Sequence, residues 1–286
     1  MTSSVPTAAG SSALTGPVRE AARRLNEAIR SHTTCPPIRD LFAREGEDLD
    51  TESQMRFGYA VQRLLTDSSV ATGRRIVGAK IGLTAPVVQQ QLGVDRPDSG
   101  VLFADMARTE DEIIDPAQLL QPRIEAEVAF TLGADLDRDD LSDEVVRGAV
   151  ETVVASLEIV DSRIAGWDIR LVDTIADNAS CGLYVLGRNP VPLTGLNLPD
   201  AAMTMRAVGQ TEETVSEGSG SACLGDPVNA LRWLARTARE VGAPLRAGDV
   251  VLSGALGPMV PVRPDTTYVA TIDGLGTVRA TFGAAS

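Results

Sequence analysis

The sequence predicts an α+β protein, and two patterns support that prediction. Amphipathic helical patterns gather in the early part of the chain and short β-branched segments gather late, so helices and strands do not alternate as in a parallel α/β sheet. No internal repeat is present that would indicate a solenoid or propeller. With 286 residues, 43% of them hydrophobic, the chain can bury a substantial core.

The N-terminal region is predicted to be helical. Residues 1–16 are small, polar and uncharged, so we expect a disordered tail rather than a signal peptide. From Pro17 an apolar stripe at helical spacing predicts a first helix, and a second is predicted at about residues 51–65. Residues 17–70 therefore form a predicted helical region that packs on a catalytic body, residues 71–286.

The first part of the body is predicted to contain strands and loops. "RRIVGAKIGL" predicts a strand that leads into a Gly-containing turn, whereas "VDRPDSGVLFADM" is rich in turn residues and predicts a loop. "RIEAEVAFTLG" predicts a strand, and "DEVVRGAVETVVASLEIVDSRI" predicts a helix that gives way to a strand. "DTIADNASCGLYVLG" predicts a loop that runs into a strand.

The last part of the body combines one clear helix with several strands. Alternating residues predict a strand over 203–208. In "GDPVNALRWLARTAREVG", Asp226 is a predicted N-cap, Pro227 occupies the first helical position and Gly242 ends the helix. Three short strands are predicted to finish the chain, at "GDVVLSG", "TYVATID" and "TVRATFG".

The composition limits the classes of partner and compartment. With 39 acidic and 26 basic residues the net charge is −13, which disfavours nucleic acid and anionic membranes as partners. No apolar stretch is long enough to span a bilayer. Three cysteines without metal-ligand spacing argue against a disulfide scaffold, so we expect a reducing cytoplasm.

Lys80 is the single lysine among 26 basic residues. A mutational bias towards arginine can explain why lysine is scarce, but not why this one remains. Arginine stays protonated, whereas a buried lysine, or one near other cations, can lose its proton. At the end of a predicted strand, Lys80 is therefore either an ordinary surface residue or a proton-transfer group.

Glu125 and Glu127 stand one residue apart in a predicted strand, so their side chains share one face. Such a pair is tolerated at a solvated edge, or where a cation neutralises it. Glu158 lies in the apolar stretch "ASLEIVDSRI", where an unpaired carboxylate would be costly. Three glutamates favour a hard divalent cation, Mg²⁺ or Mn²⁺, whose open positions an α-keto acid could fill.

Other polar residues allow two interpretations each. Asp98 in "DRPDSG" could be a turn residue, and Asn178 and Ser180 in "DNASCG" could cap a loop or bind a substrate carboxylate. His32 is the only histidine and lies before two prolines in a connecting segment. Its position argues against most histidine-dependent mechanisms, and "GSGSACLG" lacks a nucleotide-binding fingerprint.

A series of blocks in order resembles a known family. The blocks are "GAKIGLTAPVVQQQLGV", "DSGVLFADM", "RIEAEVAF", "SLEIVDSRIAGWDIRLVDTIADNASCGLYVLG", "GSGSACLGDPVNALRWLA" and "VLSGALGPMVPV". Together they resemble the 2-hydroxypentadienoate (2-keto-4-pentenoate) hydratases and their sister 4-oxalocrotonate decarboxylases, of the fumarylacetoacetate hydrolase superfamily. The likeness covers nearly everything after about residue 17.

The resemblance implies a fold and a set of site residues. The fold is a large mixed β-sheet rolled on itself, with the helical N-terminal part beside it. Lys80 and Asp98 match an acid/base pair. The implied Mg²⁺ or Mn²⁺ ligands are Glu125, Glu127 and Glu158, and the implied substrate-binding residues are Asn178, Ser180 and Ser253.

The activity that the resemblance implies is the addition of water to a 2-hydroxyalka-2,4-dienoate, which yields a 4-hydroxy-2-oxoalkanoate in meta-cleavage degradation of aromatic or steroid rings. The superfamily's C–C bond hydrolases use a histidine that this body lacks, and the closing block is more similar to the hydratases. Two alternatives remain: a 4-oxalocrotonate decarboxylase, and a non-enzymatic cation-binding assembly protein. The family implies a homo-oligomer that can associate with the pathway decarboxylase or aldolase.

Overall fold

The computed structural model describes residues 15–42, 50–85, 89–90 and 96–284. Residues 15 and 16 belong to the first helix, so the predicted tail is wrong for those two residues. The rest of the predicted tail, residues 1–14, lies outside the described residues. Among the described residues, no helix combines the length and apolar character needed to cross a membrane.

Five α-helices lie within the described residues. The second begins at a predicted turn signal, where the Asp50 side chain accepts a hydrogen bond from Ser53 N at 2.9 Å, and it continues six residues past the predicted end at Leu65. The helices are α1 (Thr15–Ser31), α2 (Thr51–Ala71), α3 (Asp143–Ala149), α4 (Leu171–Ala176) and α5 (Pro227–Glu240).

Thirteen strands in the described part of the chain form two sheets. The larger sheet is mixed, with the order β2-β1-β10-β5-β6-β7-β3 and β11 paired to β5; the smaller has the order β4-β13-β12-β8-β9. The strands are β1 (Ile76–Gly82), β2 (Asp98–Phe103), β3 (Ala107–Arg108), β4 (Ile113–Ile114), β5 (Arg123–Leu132), β6 (Val150–Val160), β7 (Cys181–Leu186), β8 (Ala202–Val208), β9 (Glu212–Ser219), β10 (Val250–Ala255), β11 (Val260–Pro261), β12 (Thr266–Ile272) and β13 (Gly276–Phe282).

The main hydrophobic core lies on one face of the larger sheet. Alternate residues of β5, among them Val128 and Phe130, pack there with Leu157 of β6, Tyr268 of β12 and Leu231 of α5. This arrangement of a curved, half-barrel mixed sheet with a few helices confirms the predicted α+β class. Because side chains alternate along a strand, the residues between these core positions face the opposite side of the sheet.

The opposite side of the larger sheet is covered by the N-terminal helices and α4. Leu25 of α1 and Phe57 of α2 pack in one buried cluster with Val172 of α4. Met55 and Tyr59 of α2 contact a second cluster that reaches the sheet. The helical region therefore packs on the body where the sheet carries its polar residues, while the predicted boundary at residue 70 stays a prediction.

Several predicted elements differ from the structure, and the two-residue strands β3, β4 and β11 have no predicted counterpart. The segment predicted as a loop around Asp98 is strand β2, because it pairs with β1 from Ile76 to Gly82 and this pairing outweighs its turn-rich composition. The predicted loop after Arg170 contains helix α4, which is too short for a periodic pattern and is capped by Asp173. Strand β9 was not predicted, since its polar residues carry no alternating apolar signal.

Candidate active site and metal centre

Strand register brings five of the predicted site residues to one face of the larger sheet. Glu125 of β5 lies directly opposite Glu158 of β6, and Glu127 follows two positions along β5. Lys80 of β1 shares its face with Gly82, which lies opposite Asp98 of β2. The alternate positions on these strands, including Ile81 and Leu157, face the hydrophobic core.

The three glutamates form a compact acidic group in the interior. Glu125 is 5% exposed, and Glu127 and Glu158 are fully buried. One potential ligand oxygen from each lies within 4.8 Å of the others. Gly254 N donates a hydrogen bond to Glu127 Oε2 at 2.8 Å, which orients that carboxylate. Among the described residues, Glu125 Oε2, Glu127 Oε1 and Glu158 Oε2 have no hydrogen-bond partner, whereas Glu158 Oε1 forms an ion pair with Lys80.

Burial raises the pKa of all three glutamates, and charge repulsion adds to the rise for Glu125 and Glu127. Burial, followed by the charge of Glu158, raises the pKa of Glu125 to about 7. Burial, followed by Glu158 and Glu125, raises the pKa of Glu127 well above its ordinary value. Burial likewise raises the pKa of Glu158, against the opposing effect of Lys80. Burial therefore favours the protonated carboxyls, and a bound cation would favour the charged carboxylates.

The residues fit a divalent metal. Three converging carboxylates with orphaned oxygens supply the hard oxygen donors that Mg²⁺, Mn²⁺ and Ca²⁺ prefer, and they lack the sulfur and imidazole ligands typical of Zn²⁺. The hydrogen bond from Gly254 N orients Glu127, one of the three candidate metal ligands.

Lys80 is buried beside the glutamates. Its side chain is 2% exposed, and Nζ lies 3.2 Å from Glu158 Oε1 in an ion pair. Burial alone would lower the pKa of Lys80, but the carboxylates of Glu158 and Asp98 outweigh it and hold the pKa above its ordinary value. Lys80 therefore carries a proton while these carboxylates are charged, and a change in their charge would ease its release.

Asp98 of β2 lies directly opposite Gly82 of β1, and the side chain of Thr174 holds its carboxylate. Thr174 Oγ1 of α4 donates to Asp98 Oδ2 at 2.8 Å, whereas the buried Oδ1 has no hydrogen-bond partner in the part of the chain that the structure describes. Burial raises the pKa of Asp98, although Lys80 and Thr174 oppose that rise. A β-carbon added at Gly82 would lie 2.2 Å from Asp98 Oδ1 and 3.3 Å from Lys80 Nζ. Only glycine at this position leaves room for both groups.

A small cavity of about 20 Å³, partly open to solvent, adjoins these residues. Lys80, Asp98, Glu125, Thr174 and Ser180 supply its polar lining. The rest of the wall is mainly apolar and comprises Leu83, Val160, Trp167, Ile169 and Met259. The lining therefore combines polar groups near the carboxylates with an apolar remainder, the combination typical of small-molecule sites.

The predicted substrate-binding residues differ in their geometry. Ser180 lines the cavity, and its buried Oγ has no hydrogen-bond partner within the described ranges. The Asn178 side chain instead accepts from Val101 N at 2.7 Å and donates to Val101 O at 2.9 Å. Ser253 Oγ accepts from Val128 N at 3.2 Å and donates to Gly254 O at 3.1 Å. The substrate-binding role of all three stays a prediction.

Sequence reasoning missed two residues that shape the site. Thr174 had no signal, because its role depends on α4 lying next to β2. Gly82 lies in the motif "KIGLT" at the end of a strand, and a glycine in that position can indicate that side chains from neighbouring segments approach the backbone closely.

Comparison with known proteins identifies the class to which this fold and site belong. Residues 75–283, well over half of the chain, match the fumarylacetoacetate (FAA) hydrolase C-terminal domain. The chain therefore belongs to the FAA hydrolase family, as the resemblance of the sequence blocks implied.

Two relatives that are similar to this chain over almost its whole length are hydratases. The chain is 51% identical over 273 residues to the TodF product hydratase of Pseudomonas putida strain F1, which covers 96% of this chain and 98% of the relative. It is 49% identical over 263 residues to 2-keto-4-pentenoate hydratase of Paraburkholderia xenovorans strain LB400, which covers 92% and 94%.

A solved structure agrees with the fold over almost the whole length. The 4-oxalocrotonate decarboxylase of Pseudomonas putida G7, complexed with magnesium and adipate, superposes with a TM-score of 0.83 at 28% identity and covers 93% of this chain and 97% of that chain. A second structure of that decarboxylase was solved with calcium and acetate.

Proposed function

We propose that this protein is a divalent-metal-dependent hydratase, a hydro-lyase that converts 2-hydroxyalka-2,4-dienoates to 4-hydroxy-2-oxoalkanoates. The observation that carries this proposal is the buried triad of Glu125, Glu127 and Glu158 beside Lys80 and Asp98 at one cavity. The 2-keto-4-pentenoate hydratase of P. xenovorans, at 49% identity, supports the same reaction. Such dienoates arise in meta-cleavage degradation of aromatic and steroid rings.

The metal is proposed to be Mg²⁺ or Mn²⁺, held by the three glutamates. Magnesium and calcium in structures of the related decarboxylase support a hard divalent ion. When bound, such an ion would polarise the C2 oxygen of the substrate and so make the conjugated C4 electrophilic. The glutamates themselves hold the negative charge that selects a cation at this position.

Lys80 and Asp98 are proposed to move the protons of the reaction. In the first stage the enol loses its O2 proton and gains one at C5, which gives the 2-oxo-3-enoate. In the second stage the oxygen of water adds at C4 and a proton adds at C3, so the atoms of one water enter the product. The unpartnered Asp98 Oδ1 and the nearby Lys80 Nζ can accept and return these protons because both border the cavity.

The apolar wall is proposed to bind the alkyl end of the dienoate. Trp167 is fixed there, since its Nε1 donates to Gln121 O at 3.0 Å and its ring lies under the Arg123 guanidinium. Burial of the alkyl end also excludes bulk water, so only the reacting water needs a place beside the polar lining.

A 4-oxalocrotonate decarboxylase is the second candidate, and the TM-score of 0.83 favours it. Its substrate carries a second carboxylate, which would require a cation at the far end of the cavity. Among the described lining residues, Lys80 is the only cation, and it is paired with Glu158. The apolar wall and the higher identity to hydratases therefore favour hydration.

One experiment separates these candidates. The purified protein with Mg²⁺ is supplied in turn with 2-hydroxypenta-2,4-dienoate and with 4-oxalocrotonate, and the products are identified by NMR and by CO₂ release. We expect 4-hydroxy-2-oxopentanoate from the first and little CO₂ from the second. A Glu158→Gln variant serves as the inactive control. Rapid CO₂ release with no hydration would establish the decarboxylase instead.

We further propose a cytoplasmic homo-oligomer that can associate with the pathway decarboxylase or aldolase. The three cysteines, Cys35, Cys181 and Cys223, are buried and unpaired, which suits a reducing compartment. Light scattering at micromolar concentration tests the assembly, and a monomer would contradict it.

A further inference from the structure

We propose that Arg163 is a positioning residue for the reaction, because it holds the turn Asn178–Ser180 so that the Ser180 hydroxyl faces the substrate cavity. This inference rests on the proposed function only in assuming that Ser180 contacts the ligand. Arg163 is not part of that cavity's lining and lies on the other side of the turn, where it lines a separate cavity with Met106 and Asp177. It therefore acts through the turn and not by touching the substrate.

The turn needs external support because its backbone is strained. Asn178, Ala179 and Ser180 have φ values of 56°, 51° and 53°, which places three consecutive residues with β-carbons in the left-handed region. Asparagine tolerates that region better than most residues, but alanine and serine do not. Strained residues of this kind persist only where the surrounding structure fixes them, and they concentrate at functional sites.

The Arg163 guanidinium ties together the chain on both sides of the turn. Before the turn, Nε donates to Asp177 Oδ1 at 2.5 Å, and Nη2 donates to the Asp177 carbonyl oxygen. After the turn, Nη1 donates to Cys181 O at 2.9 Å, and it also donates to Asp161 O at 2.7 Å. Arg163 is 9% exposed, so these bonds are sheltered from water.

Hydrogen bonds to two neighbouring segments complete the support of the turn. Asp161 N donates to Ser180 O at 2.7 Å, so the last residue of the turn is anchored to the end of the strand that carries Glu158. The Asn178 side chain makes two hydrogen bonds to the backbone of Val101 on β2. The turn is thus fixed to β2 and to the end of β6, and Arg163 joins the residues on either side of it.

The consequence is a hydroxyl that is positioned before a ligand arrives. Ser180 is 3% exposed, and its Oγ has no hydrogen-bond partner among the described residues although it borders the cavity. A buried hydroxyl without a partner is costly, and a ligand oxygen in the cavity would satisfy it. Lysine in place of Arg163 cannot reproduce the fork that binds both ends of the turn.

The test is a double-mutant cycle between Arg163→Lys and Ser180→Ala, read as binding of 2-oxopentanoate in the presence of Mg²⁺ by calorimetry. If Ser180 bonds the ligand carboxylate, Arg163→Lys should weaken binding roughly tenfold in the Ser180 background. It should have almost no effect once Ser180 is alanine, because the group that Arg163 positions is then absent. Mn²⁺ affinity without the ligand should stay unchanged.

Arg147→Lys is the matched control, since Arg147 also forms a partly buried ion pair, with Asp226 at 2.6 Å, away from the site. It should lower the melting temperature without changing ligand binding. Should Arg163→Lys fail to fold, Asp177→Asn tests the same tie with the arginine intact. The proposal is overturned if the losses from Arg163→Lys and Ser180→Ala multiply, or if ligand binding is unchanged. The proposed hydratase activity can fail independently, since the cycle measures binding and not turnover.

Discussion

Glu125 and Glu158 lie directly opposite each other across the antiparallel β5–β6 pair. Like charges in this relation destabilise a sheet, and burial increases the cost. The register cannot slip by one residue to relieve it, because a slip would turn the core side chains of one strand to the wrong face. The fold therefore maintains an unfavourable pair at a fixed position, which is the arrangement that a bound cation stabilises.

The metal-free protein should lose stability as the pH rises from about 4.5 to about 7. Burial and Glu158 raise the pKa of Glu125 from 4.5 to about 7, so the folded state keeps a proton that the unfolded chain releases in this range. Stability falls with pH wherever the folded state binds more protons, and the loss levels off above the folded pKa. At about 1.4 kcal/mol per pKa unit, this group would account for roughly 3 kcal/mol.

Urea unfolding at a series of pH values, with a chelator present, measures this loss. A Glu125→Gln variant is the matched control, because it is neutral throughout and should show a smaller slope between pH 4.5 and 7. Saturating Mg²⁺ should flatten the slope of the unmodified protein. Identical slopes for the two metal-free proteins would contradict the prediction.

Replacement of Glu127 by Gln should weaken Mg²⁺ or Mn²⁺ binding while the fold survives. The amide keeps the size of the side chain and an oxygen that can accept from Gly254 N, but it removes one ligand charge. Loss of an outer-shell partner typically costs 10–100-fold in metal affinity, so loss of ligand charge should cost at least about tenfold. Mn²⁺ titration by electron paramagnetic resonance measures the affinity, and circular dichroism checks the fold.

Metal removal provides the complementary measurement. Chelator treatment should abolish hydration of the dienoate, and added Mg²⁺ or Mn²⁺ should restore it. Full activity in protein verified to be metal-free would show that the glutamates have another purpose.

Lys80→Arg should lower the rate by roughly 10²–10⁴ with most substrate binding retained. Arginine keeps the positive charge beside Glu158 but cannot release a proton, and general acid–base roles are typically of that size. Measurement of kcat and KM with 2-hydroxypenta-2,4-dienoate separates the effect on the rate from the effect on substrate binding. A nearly normal kcat would mean that Lys80 has a different role.

A covalent imine is the competing role for Lys80, and the structure disfavours it. An imine would consume the C2 oxygen that a metal held by the glutamates would polarise, so the two mechanisms compete for one atom. Borohydride added during turnover should therefore trap no adduct, as judged by intact-mass spectrometry. A trapped substrate on Lys80 would establish the imine.

Local sequence patterns predicted the elements whose signal is contained in one segment. The strand with Glu125 and Glu127 and the helix capped by Asp226 followed from period-two and helical spacing together with capping residues. Residue spacing cannot predict which other elements lie next to this strand and this helix in the fold. The family resemblance implied that Glu125, Glu127 and Glu158 hold one metal. The pairing of Glu158 opposite Glu125 and the 3.2 Å between Lys80 Nζ and Glu158 Oε1 depend on sheet order and were not predicted.

The missed features depend on contacts between distant segments. Strand β2 has a turn-like composition and becomes a strand because β1 pairs with it. The side chain of Asn178 is committed to Val101, a residue 77 positions away, which no local pattern could reveal. Non-local pairing, rather than weak propensity, therefore sets the limit of sequence reasoning at this site.

Gly82→Ala should impair proton transfer while metal binding survives. The new β-carbon would meet Asp98 Oδ1 at 2.2 Å, a separation that forces the carboxylate to move, and would lie 3.3 Å from Lys80 Nζ. Asp98 cannot move freely, because Thr174 holds its other oxygen at 2.8 Å and its surroundings are buried. The three heavy atoms nearest to the added β-carbon belong to Asp98 and Lys80 and none to a glutamate, so Mn²⁺ affinity should change little. We expect kcat to fall by at least about 10², the lower end for loss of an acid–base group.

Gly148→Ala is the matched control, since an added β-carbon there meets nothing within 4 Å. If Gly82→Ala kept full activity, or if it lost metal and activity together, Lys80 and Asp98 would not form the proton-transfer unit proposed for this cavity.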